Sequence, residues 1–230
     1  MQQTLIAISI ILVTIGAYLV MTKLYTRFSY PIFLPVITTT ITIVLLLLVF
    51  HISYKNYMVG GKWINSLLGP GVVALAYPLY NSRKILMNNI FPIFTGVFIG
   101  MLFGMVSGLL FAEAFGINRD LILSILPKSI TTPVAIQITT SLGGVPSMTA
   151  VFVMIAGISG VVIGPAILKW VRIHSFLGKG IAFGSASHAL GTAKTIEYGE
   201  LAVSMSSVSM TLSALLGSIF GPIVVWIFHI

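Results

Sequence analysis

The chain is 230 residues long, 57% hydrophobic and only 7% charged, with a mean hydropathy of +1.10. Soluble domains carry roughly 25% charged residues, so a water-soluble globular domain is excluded; the lack of any cysteine also excludes disulfides, thiolate catalysis and cysteine metal sites. The net charge of +8 is spread through short polar stretches with no basic cluster interleaved with aromatics, which excludes a nucleic-acid-binding module.

At about 20 residues per crossing, the sequence reads as one all-α, polytopic membrane domain over residues 1–230 with about seven to eight hydrophobic segments. A strand-built barrel would alternate polar and apolar residues, whereas these runs are continuously apolar. Met1-Gln2-Gln3-Thr4 lacks a basic leader region, so Leu5 to Met21 is expected as a retained first helix, followed by Lys23 and Arg27. Ile32 to Ile52 is the cleanest apolar run and the expected second span. A polar loop is expected from His51 to Lys62. Trp63 to Tyr80 follows as a short third segment, interrupted at Gly69-Pro70-Gly71 and again at Pro78. Glycine permits sharp turns and proline removes a donor, so this segment is a candidate break exposing backbone within the membrane; a kinked packing helix is the alternative.

Ile90 to Ala112 is the fourth span, with Gly96, Gly100, Gly104 and Gly108 on one face for close helix packing. Leu121 to Leu142 is the most informative segment. Its centre, Leu126-Pro127-Lys128-Ser129-Ile130-Thr131-Thr132-Pro133, puts two prolines, a lysine and three hydroxyl residues into an apolar run. A lysine deep in hydrocarbon costs at least ~2.5 kcal/mol, and broken backbone there is tolerated only against protein or a wet cavity. Thr131 or Thr132 can cap a helix with Pro133 in its first turn. The spacing therefore predicts a helix start at membrane depth, whose N–H groups, with Lys128, Ser129, Thr131 and Thr132, form a candidate carboxylate cradle. Lys128 snorkelling from a loop between two short helices is the alternative.

Met148 to Leu168 is the sixth segment. Ile181 to Ala193 is too short and polar to span as a plain helix. In it, Gly184, His188 and Thr192 share a helical face, with Ser187 and Gly191 beside them. A histidine inside the membrane is a functional-site candidate, able to meet a carboxylate or carry a proton; a histidine bonded to a neighbouring carbonyl is the alternative. Leu201 to Ile230 is the last span, with a serine-rich first half. Glu113, Asp120, Glu197 and Glu200 all fall near span ends, so no carboxylate relay is expected. The four histidines lack metal-ligand spacing, Ser187 and His188 are adjacent without a nucleophile motif, and no cofactor or enzymatic activity is expected. A shift of 115 residues, half the chain, aligns Pro31 with Pro146, Val36 with Val151, Gly69 with Gly184 and Ala74 with Ala189, and defines a candidate internal repeat. If every segment crosses, the lysines and arginines divide almost evenly between the two sides and orientation is unreadable.

Gly69 through Tyr80, Leu126 through Pro133 and Gly184 through Ala193, with Gly116 and Gly143-Gly144, resemble the LrgB/CidB family over nearly the whole chain. The resemblance implies a multi-pass protein of the bacterial cytoplasmic membrane, working beside a smaller LrgA/CidA-type membrane partner. Members of that family are described as holin-like or antiholin-like modulators of murein hydrolases, autolysis and programmed cell death. The family also implies transport of small monocarboxylates such as pyruvate, and a plastid relative resembles a glycolate/glycerate transporter. No established catalytic residue comes with the resemblance. The substrate-binding candidates are Lys128, Ser129, Thr131, Thr132, Pro133, Ser187, His188 and Thr192. The candidates for helix breaks or gating are Gly69, Pro70, Gly71, Pro78, Pro127, Gly184 and Gly191. Expected partners are the lipid bilayer, the small carboxylate, the LrgA/CidA-type protein and, through the glycine face, a further copy of the chain.

Overall fold

The computed structural model describes residues 2–28, 33, 35–74 and 76–230. Pro31, Ile32 and Leu75 lie outside the described residues, and for Gly71 and Pro78 only the backbone path is described. The described residues are all-α, with no strand among them. Four helices are long and apolar enough to cross a membrane: Gln3–Phe28, Ile90–Ala114, Pro146–Trp170 and Glu200–Ile227. The chain groups into two compact units, Met1–Pro70 and Gly71–Ile230.

The first unit holds α1 (Gln2–Phe28), α2 (Pro35–Val49) and α3 (Tyr54–Ser66). Helix α1 extends well beyond the expected Leu5 to Met21, because Thr22 and Thr26 return their hydroxyls to the carbonyls of Tyr18 and Lys23 and carry the helix through polar sequence. The stretch expected as a polar loop is largely helical. Ser53 caps α3 by accepting from the Asn56 N–H, and Gly60 lets the helix lie against α1. A methyl group on Gly60 would sit 2.7 Å from both the Ala7 carbonyl oxygen and Ile10 Cβ. Tyr57 and Thr14 join the same two helices through a 3.2 Å hydroxyl contact.

The expected third span, Trp63 to Tyr80, is not one helix. It divides among the end of α3, α4 (Leu68–Ala74) and α5 (Ala76–Asn81). Gly69, Pro70 and Gly71 lie inside α4, and Pro78 inside α5, so these residues do not themselves unwind the backbone. The reason is position: each proline is the third residue of its helix, where the missing N–H has no intrahelical partner to lose. The 115-residue register is not reproduced, since it sets the seven-residue α4 against a long kinked helix.

The second unit continues with α6 (Arg83–Asn88) and α7 (Ile90–Ala114). The expected broken segment follows as α8 (Arg119–Ile125), a 3₁₀ turn (Leu126–Ser129) and α9 (Thr132–Leu142). Then come α10 (Pro146–Trp170), α11 (Phe176–Thr195), a second 3₁₀ turn (Ile196–Tyr198) and α12 (Glu200–Ile227). Met101, Met105, Leu109, Leu126, Ile130 and Ala135 are buried in one cluster that binds α7 to the first broken segment, with Val153 of α10 and Ala214 of α12.

Both broken segments fold back on themselves. In the first, Ser124 of α8 accepts from the Val145 N–H at 2.8 Å, and the Ser124 carbonyl accepts from Thr149 Oγ1 at 3.0 Å. Thr149 lies 2.7 Å from Thr139 of α9, so the descending and returning limbs meet again at one level beside the start of α10. In the second, the rings of Phe183 and Tyr198 stack at 5.8 Å, and a methyl on Gly191 would collide with the Phe183 carbonyl. Residues eight apart in a straight helix are about 12 Å apart along its axis, so α11 reverses direction.

Replacing Gly60 with alanine should force α3 away from α1, at a cost of about 1–3 kcal/mol. The check is the thermal midpoint in detergent, which should fall in Gly60→Ala but not in Gly16→Ala, where a methyl meets nothing within 4 Å.

Candidate functional site

The reversal in α11 occurs at His188, whose φ of 51° and ψ of −130° lie outside the regions open to ordinary L-residues. His188 separates a limb at 176–187 from one at 189–195. The sequence predicts Gly184, His188 and Thr192 on one continuous helical face; the break overturns that. Instead Thr192 donates to the His188 carbonyl at 3.0 Å and contacts Ser206 Oγ at 2.9 Å. Gly184 lets the first limb press against the backbone of α12, where a methyl would stand 2.8 Å from Ser206 Cα. Gly191 makes room for the reversal itself, as its approach to Phe183 requires.

The first break is built differently. Pro127 leaves helical geometry at φ −84°, ψ 20°, and the extended residue Ile130 follows. Helix α9 begins at Thr132, with Thr131 in the capping position and Pro133 in the first turn, one residue from the predicted start. The Thr131 side chain makes no capping bond. The N–H groups of Val134 and Ala135 both donate to the Thr131 carbonyl, so this helix start offers fewer free donors than the sequence predicts.

The two breaks meet. His188 Nε2 lies 3.1 Å from the Lys128 carbonyl oxygen and donates to it in the Nε2–H tautomer. Ser213 of α12 donates to the Ser129 carbonyl at 3.4 Å. Helix α7 closes the other side. Its glycine face, expected for helix packing, forms a trough: methyl groups on Gly96 and Gly100 would stand 3.1 Å from Ile181 and 3.6 Å from Ser185 of α11. One on Gly104 would stand 2.7 Å from Ser129 Oγ, and Gly108 receives the Lys128 side chain.

The Lys128 ammonium donates to the Gly104 carbonyl. Measured from the end of α7 at Ala114, Gly108 and Gly104 lie about 9–15 Å along the helix, so the cation sits well inside the apolar layer. Among the described residues it has no carboxylate partner; the ion pair found there is Lys194 with Glu197, at 2.7 Å. All four acids are exposed. Close to the breaks, Ser187 Oγ, His188 Nδ1 and Ser209 Oγ are buried without a hydrogen-bond partner. Their residues are 1%, 4% and 0% exposed. Buried polar atoms are nearly always satisfied, so these three set the second break and the facing stretch of α12 apart from the rest of the second unit's interior, and Ser187 Oγ is turned toward Gly160 of α10.

Sequence reasoning did not find Gly104 and Gly108 as the seat of Lys128 and Ser129, nor Ser206, Ser209 and Ser213 as the α12 wall. The signal for both was present as helical spacing, of glycines on α7 and serines on α12. Gly69 and Pro70 belong to the first unit, whereas this centre is built wholly from the second. Among the described residues no group of three or more histidines, cysteines or acids is placed to hold a metal.

Broken helices around an intramembrane polar centre, with four long apolar helices, define a membrane protein. Residues 14–227 match the LrgB-like family, and the chain belongs to that family. It is 70% identical over the full length of both chains to the uncharacterized protein YxaC of Bacillus subtilis. It is 37% identical to the holin-like protein CidB of Staphylococcus aureus, over 97% of each chain, and 36% identical to the holin-like protein CidB of Staphylococcus epidermidis, over 100% of each. No solved structure matches.

Backbone strain at His188 yields an ordered prediction. Glycine adopts φ 51°, ψ −130° without the cost of about 1–3 kcal/mol that a side chain incurs. His188→Gly should therefore melt at or above the temperature of His188→Ala in detergent. Alanine melting higher would mean that the reversal at 188 is not the native backbone.

Proposed function

We propose that this protein carries small monocarboxylates, such as pyruvate or glycolate, across the bacterial cytoplasmic membrane, which it crosses several times. The observation that carries the reading is Lys128: a cation within the apolar layer, without a carboxylate partner among the described residues, seated on a helix carbonyl where two broken helices meet. A charge held in apolar surroundings without a counter-charge is destabilising, and Lys128 is half-buried in such surroundings. An anion arriving at Lys128 would relieve that cost, and the hydroxyls of Ser129, Thr131 and Thr132 stand within a few residues of it. On the opposite wall the His188 ring, bonded to the Lys128 carbonyl, and Ser213, bonded to that of Ser129, fix the backbone that carries the cation. Discontinuous helices whose ends converge on a substrate are the recurrent transporter solution.

An LrgA/CidA-type small membrane protein is the partner this reading expects. The second reading is a holin-like role, modulating murein hydrolase activity, autolysis and cell death, and the names of the staphylococcal relatives favour it. A holin-like pore needs oligomerising helices; it gives no part to a single half-buried lysine.

Uptake of labelled pyruvate into proteoliposomes, with and without an LrgA-type partner, separates the two. Saturable uptake that is lost in Lys128→Ala, while the variant still inserts and melts normally, is the expected result. Pro133→Ala should weaken uptake less, since it leaves the cation and hydroxyls in place. Leakage of unrelated solutes that is unaffected by Lys128→Ala would replace the carrier reading with the holin-like one.

A further inference from the structure

Two parts of the second unit are built alike. A shift of 57 residues carries Arg119, where α8 starts, to Phe176, where α11 starts. The same shift carries Trp170, the end of α10, to Ile227, the end of α12. It places Thr131, which opens α9 after the first break, on His188, the residue of the second break. It also superposes Gly160, Gly164 and Pro165 on Gly217, Gly221 and Pro222, so both long helices carry a Gly-Pro step at the same place. The packing follows the same rule. Gly160 faces Ser187, with a methyl there 3.2 Å from Ser187 Cβ, and Gly217 faces Ile130, at 3.0 Å from Cγ1. Ile130 and Ser187 are themselves 57 residues apart. Each long helix thus packs on the break of the other half through equivalent positions, as two related copies exchanging contacts would.

The copies must point in opposite senses. Each consists of a hairpin that returns to the side it came from, then one long helix that crosses. One net crossing per copy means that the second begins on the opposite face of the membrane from the first. The connections of α7, α8, α9 and α10 at 115–118 and 143–145 therefore share one face, with the end of α12. The start of α7 and the connections at 171–175 and 196–199 share the other.

This arrangement also resolves the charge. The second face has Arg83, Lys84, Lys169, Arg172, Lys179 and Lys194 at or next to its helix ends; the first has Arg119. Counting every hydrophobic segment as a crossing had scattered these residues evenly. With two hairpins that do not cross, six stand against one, and lysines and arginines in short connections mark the cytoplasmic side. Exposed Trp170 and Trp226 lie at opposite ends of the unit, where interfacial tryptophans belong.

We infer that residues 119–170 and 176–227 are two inverted copies of one hairpin-plus-helix unit, with the end bearing Arg83, Lys84, Lys169, Arg172, Lys179 and Lys194 in the cytoplasm. The inference rests on the membrane reading above, and it gives the proposed site its two sides. The hairpin bearing Lys128 dips in from outside the cell, and the hairpin bearing His188 rises from the cytoplasm.

The chain has no cysteine, so single cysteines report position directly. Asn118→Cys, Ser147→Cys, Val171→Cys and Glu197→Cys are all exposed positions outside the proposed site. A membrane-impermeant maleimide added to intact protoplasts should label the first two completely and the last two only after permeabilisation. The opposite pattern would overturn the orientation. Labelling of Asn118→Cys and Ser147→Cys from different sides would overturn the hairpin and the inversion together. Neither result depends on whether pyruvate is carried, so a failed uptake assay leaves this test intact.

Discussion

An apolar solvent offers backbone groups nothing to bond to, so a chain that breaks a helix within it must satisfy the break with other protein. The second unit is organised around that constraint. Two interrupted segments are brought end to end, and each supplies what the other lacks: the His188 ring bonds the Lys128 carbonyl, and Ser213 bonds that of Ser129. The long helices α7, α10 and α12 form the walls. Their glycines at 104, 108, 160 and 217 allow the irregular backbone to approach closely enough to be excluded from lipid.

The same arrangement sets the chemistry. A cation placed among carbonyls and hydroxyls, with no acid beside it among the described residues, favours an anion over a neutral or cationic guest. Small residues on the surrounding helices keep the centre narrow.

Much of this was legible in the sequence. Prolines at 127 and 133 around a lysine and hydroxyl residues announced the first break, because proline removes donors wherever it falls, and α9 starts within a residue of the predicted position. The glycine period on α7 was visible too, although a period cannot tell whether a helix or a lysine side chain fills the groove. The second break was legible only coarsely: Gly184 and Gly191 bracket it as candidates, but its own residue, His188, was not marked as a break. Ser187, His188 and Ala189 contain neither glycine nor proline, and local preference alone continues the helix; packing of Gly184 on Ser206 and room at Gly191 reverse it. Gly69-Pro70-Gly71 misled in the other direction, since prolines early in a short helix disturb nothing. Orientation was hidden for a topological reason, as a hairpin and a crossing look alike in a hydropathy profile.

The connections in the second unit are short, at 115–118, 143–145, 171–175 and a single residue, Gly199, before α12. Such links hold almost no slack. A hairpin tip can therefore withdraw from the centre only if the rods attached to it tilt as well, and a tilt at one face displaces the opposite ends of the same rods in the reverse sense. Whatever displaces one hairpin is then felt by the long helix joined to it, through the length of the tethers alone.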